Sequence, residues 1–253
     1  MDIQQYFRDC CTVTENIIRL GNAQLQRDDY LQIKKLLESR DGKWKGGKTN
    51  GFVFESDASA IYKSICKGDT ENKKNMYQFF PTPDDVADRM VKMLDIDPTG
   101  LTMDQSGAHI LEPSAGRGAL IAAVHKVYPD LTVDAYEINP DCFYALEQIE
   151  NVRLHREDFI ECPDELRYDY IIANPPFAKN ADIKHFRKMY SVLKYGGRMT
   201  VILSSHALEA REREVSEFKK WLYSLHPVVA ELSAGTFKSA GTYVRTYIVT
   251  LQK

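Results

Sequence analysis

The stretch LEPSAGRG, residues 111–118, lies between a short predicted strand over 109–111 and a predicted helix over 118–128. Its two glycines, Gly116 and Gly118, allow the backbone to turn tightly and to approach a ligand closely at the end of a strand. The third glycine of the dinucleotide fingerprint is missing, because Ile121 occupies that position. The stretch therefore favours an α/β fold with a ligand at a strand end, and it disfavours a nicotinamide cofactor.

Strands and helices alternate along the chain from residue 77 onward. The predicted strands cover residues 109–111, 132–136, 152–154, 168–173, 198–203, 228–232 and 243–251. The predicted helices cover residues 118–128, 141–150, 181–193 and 209–225. A further helix is predicted to begin with Thr82 as its cap and Pro83 at its first position. This alternation predicts a Rossmann-like, mostly parallel sheet with helices on both faces and an extra strand at the end.

Residues 1–75 follow another pattern, which predicts a small α+β domain ahead of the domain formed by residues 76–253. Asp28 and Asp29 are suited to cap a helix with apolar residues at helical spacing. Glycines flanking short aromatic runs within residues 41–54 predict a hairpin. The polar stretch over 67–75 is typical of a linker.

Composition excludes several classes of protein. The chain has 253 residues, 43% of them hydrophobic and 27% charged, and no apolar run approaches the roughly 18 residues of a membrane span. The segment 1–6 does not resemble a signal peptide. Five cysteines without a C-x-x-C pair, and six histidines without metal spacing, indicate reduced thiols in a cytoplasmic protein without a bound metal.

The net charge of −3 is unevenly distributed. Residues 1–75 contain 13 basic and 11 acidic residues, whereas residues 76–253 contain 20 basic and 25 acidic residues. Residues 34–48 contain six basic and two acidic residues. Such a run is either a solvated face or a local patch that contacts nucleic acid.

Polar side chains follow the next two predicted strands. Glu137 ends the strand over 132–136, where a carboxylate can accept hydrogen bonds from both hydroxyls of a ribose. Ile138 comes next and can pack against a base. Asp158 follows the third strand and can accept from an amino group. Because open α/β sheets bind ligands at the carboxyl ends of their strands, these residues are expected to share one site with the glycine stretch.

Two prolines in Asn174-Pro175-Pro176-Phe177 follow the predicted strand over 168–173. Prolines stiffen the chain and remove backbone donors, which leaves carbonyl groups pointing outward. The side-chain oxygen of Asn174 and the carbonyl of Pro175 can then accept both hydrogens of one NH2 group. A conjugated amino group is a poor nucleophile, and two acceptors favour the tetrahedral nitrogen that attacks an electrophile. Phe177 would stack on the ring that carries the amino group.

Taken in order, these motifs resemble the S-adenosylmethionine-dependent N6-adenine DNA methyltransferases whose cofactor motifs come first. The N-terminal half of the chain resembles, more loosely, the methyltransferases of phages and mobile elements. The resemblance covers residues 77–253. Residues 78–83 resemble the segment before the first strand, and residues 235–237 and 241–242 resemble the last loop.

The resemblance implies a class I methyltransferase fold, a base flipped out of DNA, and no metal. It implies a catalytic motif formed by Asn174, Pro175, Pro176 and Phe177, with Phe177 and Phe237 contacting the target base. It implies that S-adenosylmethionine is bound by Phe80, Thr82, Glu112, Ser114, Ala115, Gly116, Gly118, Glu137, Ile138, Asp158 and Phe159.

The chain departs from this family in one respect, since no target-recognition domain follows the last predicted strand. We therefore expect DNA contacts from residues 1–75, with Lys43, Lys45 and Lys48 on phosphates, or from a separate specificity partner. Trp44 either stacks on a base or packs into the hairpin core.

Three other functions remain open at this point. A glutamine side-chain amide poses the same chemical problem as adenine, so methylation of a protein glutamine is one alternative. Methylation of an RNA adenine is another. A catalytically silent nucleic-acid-binding protein on the same fold belongs to a different class.

Overall fold

The computed structural model describes residues 1–21, 25–54, 57–70, 80–97, 108–163, 165, 168–238 and 244–253. The chain divides into two compact units, Met1–Phe79 and Phe80–Lys253. The domain boundary expected between residues 75 and 76 falls within 71–79, outside the described residues. Among the helices of the described ranges, none is long and apolar enough to cross a membrane.

The first unit contains a four-stranded antiparallel sheet and helices. Its strands are β1 (Thr12–Thr14), β2 (Ile17–Arg19), β3 (Lys43–Lys45) and β4 (Gly51–Val53), in the order β1-β2-β4-β3. Its helices are α1 (Ile3–Cys10), α2 (Arg27–Glu38) and α3 (Ser59–Cys66). A separate core forms here, and it includes Phe7, Ile18, Leu37, Phe52 and Ile65. The hairpin predicted within 41–54 is the β3–β4 pair.

The second unit is built on a seven-stranded sheet. Its strands are β5 (Ala108–Glu112), β6 (Thr132–Tyr136), β7 (Val152–His155), β8 (Tyr168–Ala173), β9 (Leu193–Ser204), β10 (Val228–Leu232) and β11 (Thr246–Gln252). Their order is β7-β6-β5-β8-β9-β11-β10. The first five in this order run parallel, and β11 pairs antiparallel with both β9 and β10. The predicted mostly parallel sheet is therefore confirmed.

Helices cover both faces of this sheet. They are α4 (Asp84–Leu94), α5 (Ala119–Val127), α6 (Pro140–Glu147), α7 (Ala181–Val192), α8 (Ser205–Glu209) and α9 (Arg213–Ser224). Adjacent strand residues point to opposite faces. Accordingly, Ile172 belongs to one core with Met90 of α4, whereas Ile171 belongs to the other core with Phe186 of α7.

The chain reverses its direction of travel across the sheet at β5. After β5 it adds β6 and β7 on one side, and it then returns to place β8 on the other side of β5. The loop after β5 and the loop after β8 therefore lead away from each other, which leaves a crevice between them. Open α/β sheets bind ligands in a crevice of this kind. The loop after β5 is the glycine stretch, and the residues after β8 are the Asn-Pro-Pro-Phe motif.

Some predicted element boundaries were wrong, and the strand predicted over 198–203 begins five residues earlier, at Leu193. Pro83, with ψ of 147°, is the last non-helical residue before α4, so Thr82 does not cap that helix. Asp28 and Asp29 lie inside the first turn of α2, and Gln26 precedes it. The helix predicted over 209–225 is interrupted at Ala210, whose extended backbone separates α8 from α9.

Candidate active site

The loop after β5 adopts a conformation that requires glycine. Gly116 and Gly118 have φ angles of 55° and 87°, in the left-handed region. A Cβ at Gly118 would lie 2.4 Å from the Cδ1 of Ile149. The Ala115 N–H donates to the carbonyl of Tyr136 at 2.9 Å, which fastens the loop to the end of β6.

Glu137 also holds this loop, through its side chain. One carboxylate oxygen accepts from the N–H of Gly116 at 2.6 Å, and the other accepts from the N–H of Asn139 at 2.6 Å. Burial raises the pKa of Glu137, and these amide donors oppose the rise. A carboxylate oxygen can accept more than one hydrogen bond, so Glu137 is able to bind the loop and a ligand hydroxyl at the same time. Ile138, beside it, is 47% exposed.

A second carboxyl group, that of Glu112, lies at the end of β5 and is only 1% exposed. It accepts from the N–H of Ser114 at 3.3 Å. Burial raises the pKa of Glu112 to about 8, and the negative charge of Glu137 contributes to the rise. A cationic ligand beside these two acids would favour their ionised forms, whereas an anionic ligand would oppose ionisation.

The side chain of Asn174 is held from the loop that precedes α4. Its Nδ2 donates to the Phe80 carbonyl oxygen and to the Thr82 Oγ1, both at 3.1 Å. A carbonyl oxygen only accepts, so the atom facing Phe80 is the NH2 group and the Oδ1 acceptor points the other way. The Ser114 hydroxyl lies 3.2 Å from the Asn174 backbone carbonyl oxygen and donates to it.

The rest of the Asn-Pro-Pro-Phe motif leads into an unusual turn. Phe177 is half-buried and packs against the core beneath α4. Lys179 and Asn180 follow, with φ angles of 54° and 59°. Two successive non-glycine residues in the left-handed region store strain, which is common beside functional sites. The Asn180 amide donates to Glu214 of α9 at 3.1 Å.

Three predicted site residues are buried in the core or bonded to other protein groups. Phe159 is buried and packs edge-on against Tyr136, so it belongs to the core. The Asp158 carboxylate accepts from the Ile160 N–H at 2.9 Å, although Asp158 itself is exposed. Phe237 is 2% exposed in the core beneath α4, so contact with a base is closed to it in this conformation.

Residues 78–79 and 241–242, which contributed to the resemblance, lie outside the described residues.

In the first unit, Lys43, Lys45 and Lys48 are all exposed. Trp44 packs edge-on against Phe52 at 5.2 Å between ring centroids and is still 41% exposed.

Sequence analysis missed Asp182, a buried acid in the first turn of α7. Its carboxylate accepts from the Ser204 hydroxyl at 2.7 Å and from the Ser204 N–H at 3.0 Å. This pair ties the helix that follows the Asn-Pro-Pro-Phe motif to the end of β9. An acid in a first helical turn is ordinary, so the sequence carried no signal for it.

The described residues contain no cluster of side chains suited to a metal.

Two type II methyltransferases are similar to part of the chain. The chain is 28% identical over 135 residues to M.CvrRI of Paramecium bursaria Chlorella virus XZ-6E, a match that covers 53% of this chain and 32% of that protein. It is 31% identical over 121 residues to M.HincII of Haemophilus influenzae, covering 47% of this chain and 21% of that protein. The match thus spans about a third or less of the length of these curated relatives.

Solved structures show the same fold. The M protein of the type I restriction enzyme EcoKI superposes with a TM-score of 0.54 at 16% identity, over 81% of this chain and 48% of that one. A putative class I S-adenosylmethionine-dependent methyltransferase from Listeria monocytogenes superposes with a TM-score of 0.53 at 14% identity, over 68% of this chain and 60% of that one. The second unit therefore has the class I methyltransferase fold that the sequence predicted. Residues 92–221, about half of the chain, match the family model of the methyltransferase small domain, and the chain belongs to that family.

Proposed function

We propose that this protein transfers a methyl group from S-adenosylmethionine to the N6 amino group of adenine in DNA. The observation that carries the proposal is the orientation of the Asn174 amide. Its NH2 group is bonded to Phe80 and Thr82, so its Oδ1 acceptor is turned away from them. Within the described part of the chain, no donor is bonded to this oxygen or to the Pro175 carbonyl.

These two acceptors suit an amino group with two hydrogens. The lone pair of the adenine N6 is delocalised into the ring, and hydrogen bonds from both of its hydrogens to Asn174 and Pro175 favour a tetrahedral nitrogen. Preorganised acceptors of this kind act on charge as it develops and need no reorganisation during the reaction. Phe177 provides an aromatic face for the base. Since an adenine within a duplex cannot reach these groups, the base must be flipped out or taken from a single strand.

The cofactor assignment is supported by the donor set at the ends of β5 and β6. S-adenosylmethionine supplies a methyl group that its sulfonium charge activates. Glu137 would hold the ribose hydroxyls, and the exposed side chain of Ile138 would pack on the adenine ring. The remainder of S-adenosylmethionine would be bound by the glycine loop (Ala115, Gly116 and Gly118), by Phe80 and by Asp158. The two acids, Glu112 and Glu137, fit a cation better than the pyrophosphate of a dinucleotide.

DNA is proposed as the substrate from the order of the motifs and from the similarity to the type II methyltransferases M.CvrRI and M.HincII, although the match covers only part of each. Contacts with phosphates would come from Lys43, Lys45 and Lys48, or from a separate specificity partner. We expect the protein to act in the cytoplasm. RNA adenine and protein glutamine are the competing substrates for the same chemistry.

One experiment separates these substrates. The protein is incubated with isotope-labelled S-adenosylmethionine and with DNA, RNA or a glutamine-containing peptide, and the products are hydrolysed and analysed by mass spectrometry. We expect label in N6-methyladenine from DNA, and far less label in the same time with the Asn174→Ala variant. Label only in RNA or in glutamine would reject DNA as the substrate. No label in any substrate would favour a silent nucleic-acid-binding protein.

A further inference from the structure

Asn174 is held by contacts from two directions. Its side-chain NH2 is bonded to the carbonyl of Phe80 and the hydroxyl of Thr82, each at 3.1 Å. Its backbone carbonyl oxygen accepts from the Ser114 hydroxyl at 3.2 Å. An amide without such partners would rotate freely and present either its oxygen or its nitrogen to a ligand. The Phe80 carbonyl can only accept, so it selects the NH2 group and turns Oδ1 outward; the Thr82 contact holds the same amide, and the Ser114 contact holds the backbone that carries it.

The Thr82 hydroxyl is not used by the helix that follows. The α4 helix begins at Asp84, and no side chain caps its first turn. Thr82 is 7% exposed, so its hydroxyl is withdrawn from water and committed to a partner inside the protein. The partner is Asn174, 92 residues away in sequence.

The Ser114 hydroxyl has two acceptors but only one proton. It lies 3.2 Å from the Asn174 carbonyl oxygen and 3.4 Å from the Glu112 Oε1. The contact with Asn174 is the shorter one, and the Ser114 N–H also donates to the same Glu112 oxygen at 3.3 Å, so Glu112 keeps a donor when the hydroxyl donates to Asn174.

We propose that Thr82 and Ser114 are positioning residues, whose hydroxyl groups orient Asn174 toward the target amino group and are not ligands of the cofactor. The inference rests on the proposed function, because it assigns these hydroxyls to the acceptor pair of that reaction. It reassigns two residues that the family resemblance placed in the cofactor site. It also means that the loops before α4 and after β5 set the geometry of the methyl acceptor.

The test compares two variants of Thr82. Thr82→Val removes the hydroxyl and keeps the shape of the side chain, whereas Thr82→Ser retains the hydroxyl. The matched control is Thr250→Val, because Thr250 is also 7% exposed and bonds another hydroxyl, that of Thr200, at 3.0 Å. Single-turnover methyl transfer is measured at saturating DNA and cofactor, and cofactor affinity is measured by calorimetry. We expect Thr82→Val and Ser114→Ala each to slow transfer roughly 3- to 10-fold, the scale of one neutral hydrogen bond. Thr82→Ser and Thr250→Val should stay within about twofold of the wild type, and cofactor affinity should not change.

A second readout does not depend on activity. The Asn174 side-chain NH2 gives a pair of amide signals in a nitrogen–proton NMR spectrum, assigned by their loss in Asn174→Ala. In Thr82→Val these signals should shift and their protons should exchange faster with water, whereas Thr250→Val should leave them in place.

Three results would overturn the inference. The first is wild-type transfer in Thr82→Val, or a loss that Thr250→Val reproduces. The second is weakened cofactor binding with unchanged transfer, which would make the hydroxyls cofactor ligands. The third is an Asn174 NH2 signal that Thr82→Val leaves unchanged. An inactive wild type would reject the proposed function alone, since the NMR comparison would still test the positioning.

Discussion

The backbone N–H of Gly116 and the carboxylate of Glu137 are joined by a hydrogen bond of 2.6 Å. The bond connects the loop after β5 to the end of the neighbouring strand, β6, so one acid serves both the shape of the loop and the proposed ribose contact. Replacement of Glu137 with Ala should weaken calorimetric binding of S-adenosylmethionine by about 1.5–3 kcal/mol, the scale of hydrogen bonds to a charged group. The exposed acid Glu150 supplies the control, and Glu150→Ala should bind normally. Unchanged affinity in Glu137→Ala would remove Glu137 from the cofactor site.

Asn174→Ala should slow single-turnover methyl transfer on the order of a hundredfold or more. The substitution removes one of two acceptors that act on the reacting nitrogen, and losses of this size are typical of such groups. Cofactor affinity should remain near the wild-type value, because Asn174 is bonded to protein groups on its other side. Transfer at the wild-type rate in this variant would rule out the proposed acceptor pair.

Phe177→Ala should weaken binding of a flipped base by roughly 1–3 kcal/mol, the range for stacking of a base on an aromatic side chain. A 2-aminopurine placed at the target position should brighten when the wild-type protein binds, and it should brighten less with the variant. Tyr195 is a suitable control, because it is an exposed aromatic residue at the start of β9. A constant signal from active wild-type protein would argue against flipping from a duplex.

Glu112 should make the free energy of unfolding depend on pH. Burial raises its pKa from 4.5 to about 8, so between these values the native carboxyl keeps a proton that the unfolded chain has released. The unfolded state then binds fewer protons, and the contribution of Glu112 to stability falls as the pH rises through this window. Glu112→Gln cannot ionise and should lack this fall. Urea unfolding of both proteins at about pH 5.5 and about pH 7.5 tests the sign, since the difference in favour of the Gln variant should grow with pH.

Lys43, Lys45 and Lys48 should contribute to DNA affinity without regard to sequence. Three lysines on phosphates contribute about −2.7 to the slope of log affinity against log salt concentration on duplex DNA. Replacement of all three with Ala should flatten the slope by that amount, and replacement of all three with Arg should preserve it. A wild-type slope in the Ala variant would show that the hairpin is only a solvated surface.

The order of elements in the second unit was predictable because each strand ends in a recognisable turn and each helix has an apolar stripe. The contacts that orient Asn174 were not predictable. They join Asn174 to Thr82 and Ser114, residues 92 and 60 positions away, and only the order of strands in the sheet decides that these meet. Local pattern suggested that Thr82 was a helix cap, because a Thr-Pro pair before acids is the usual sign of one.

The burial of aromatic residues was equally hard to predict. Phe159 and Phe237 each lie next to a turn, a position that is compatible with a ligand contact or with the core. The structure buries both, and it leaves Phe177 only half-buried at the site. Periodicity does not distinguish these cases, because each phenylalanine stands outside a regular element or at its edge, where the side chain can turn either way.

The placement of β8 beside β5 has a consequence for biosynthesis. Ser114 leaves the ribosome 60 residues before the Asn174 that it binds. At about 5–20 residues per second, translation takes roughly 3–12 s to cover that distance. Within this interval the glycine loop is completed and Glu137, which holds it, is added, whereas Asn174 is still missing. The residues proposed to bind the cofactor are therefore all synthesised before the proposed acceptor, Asn174.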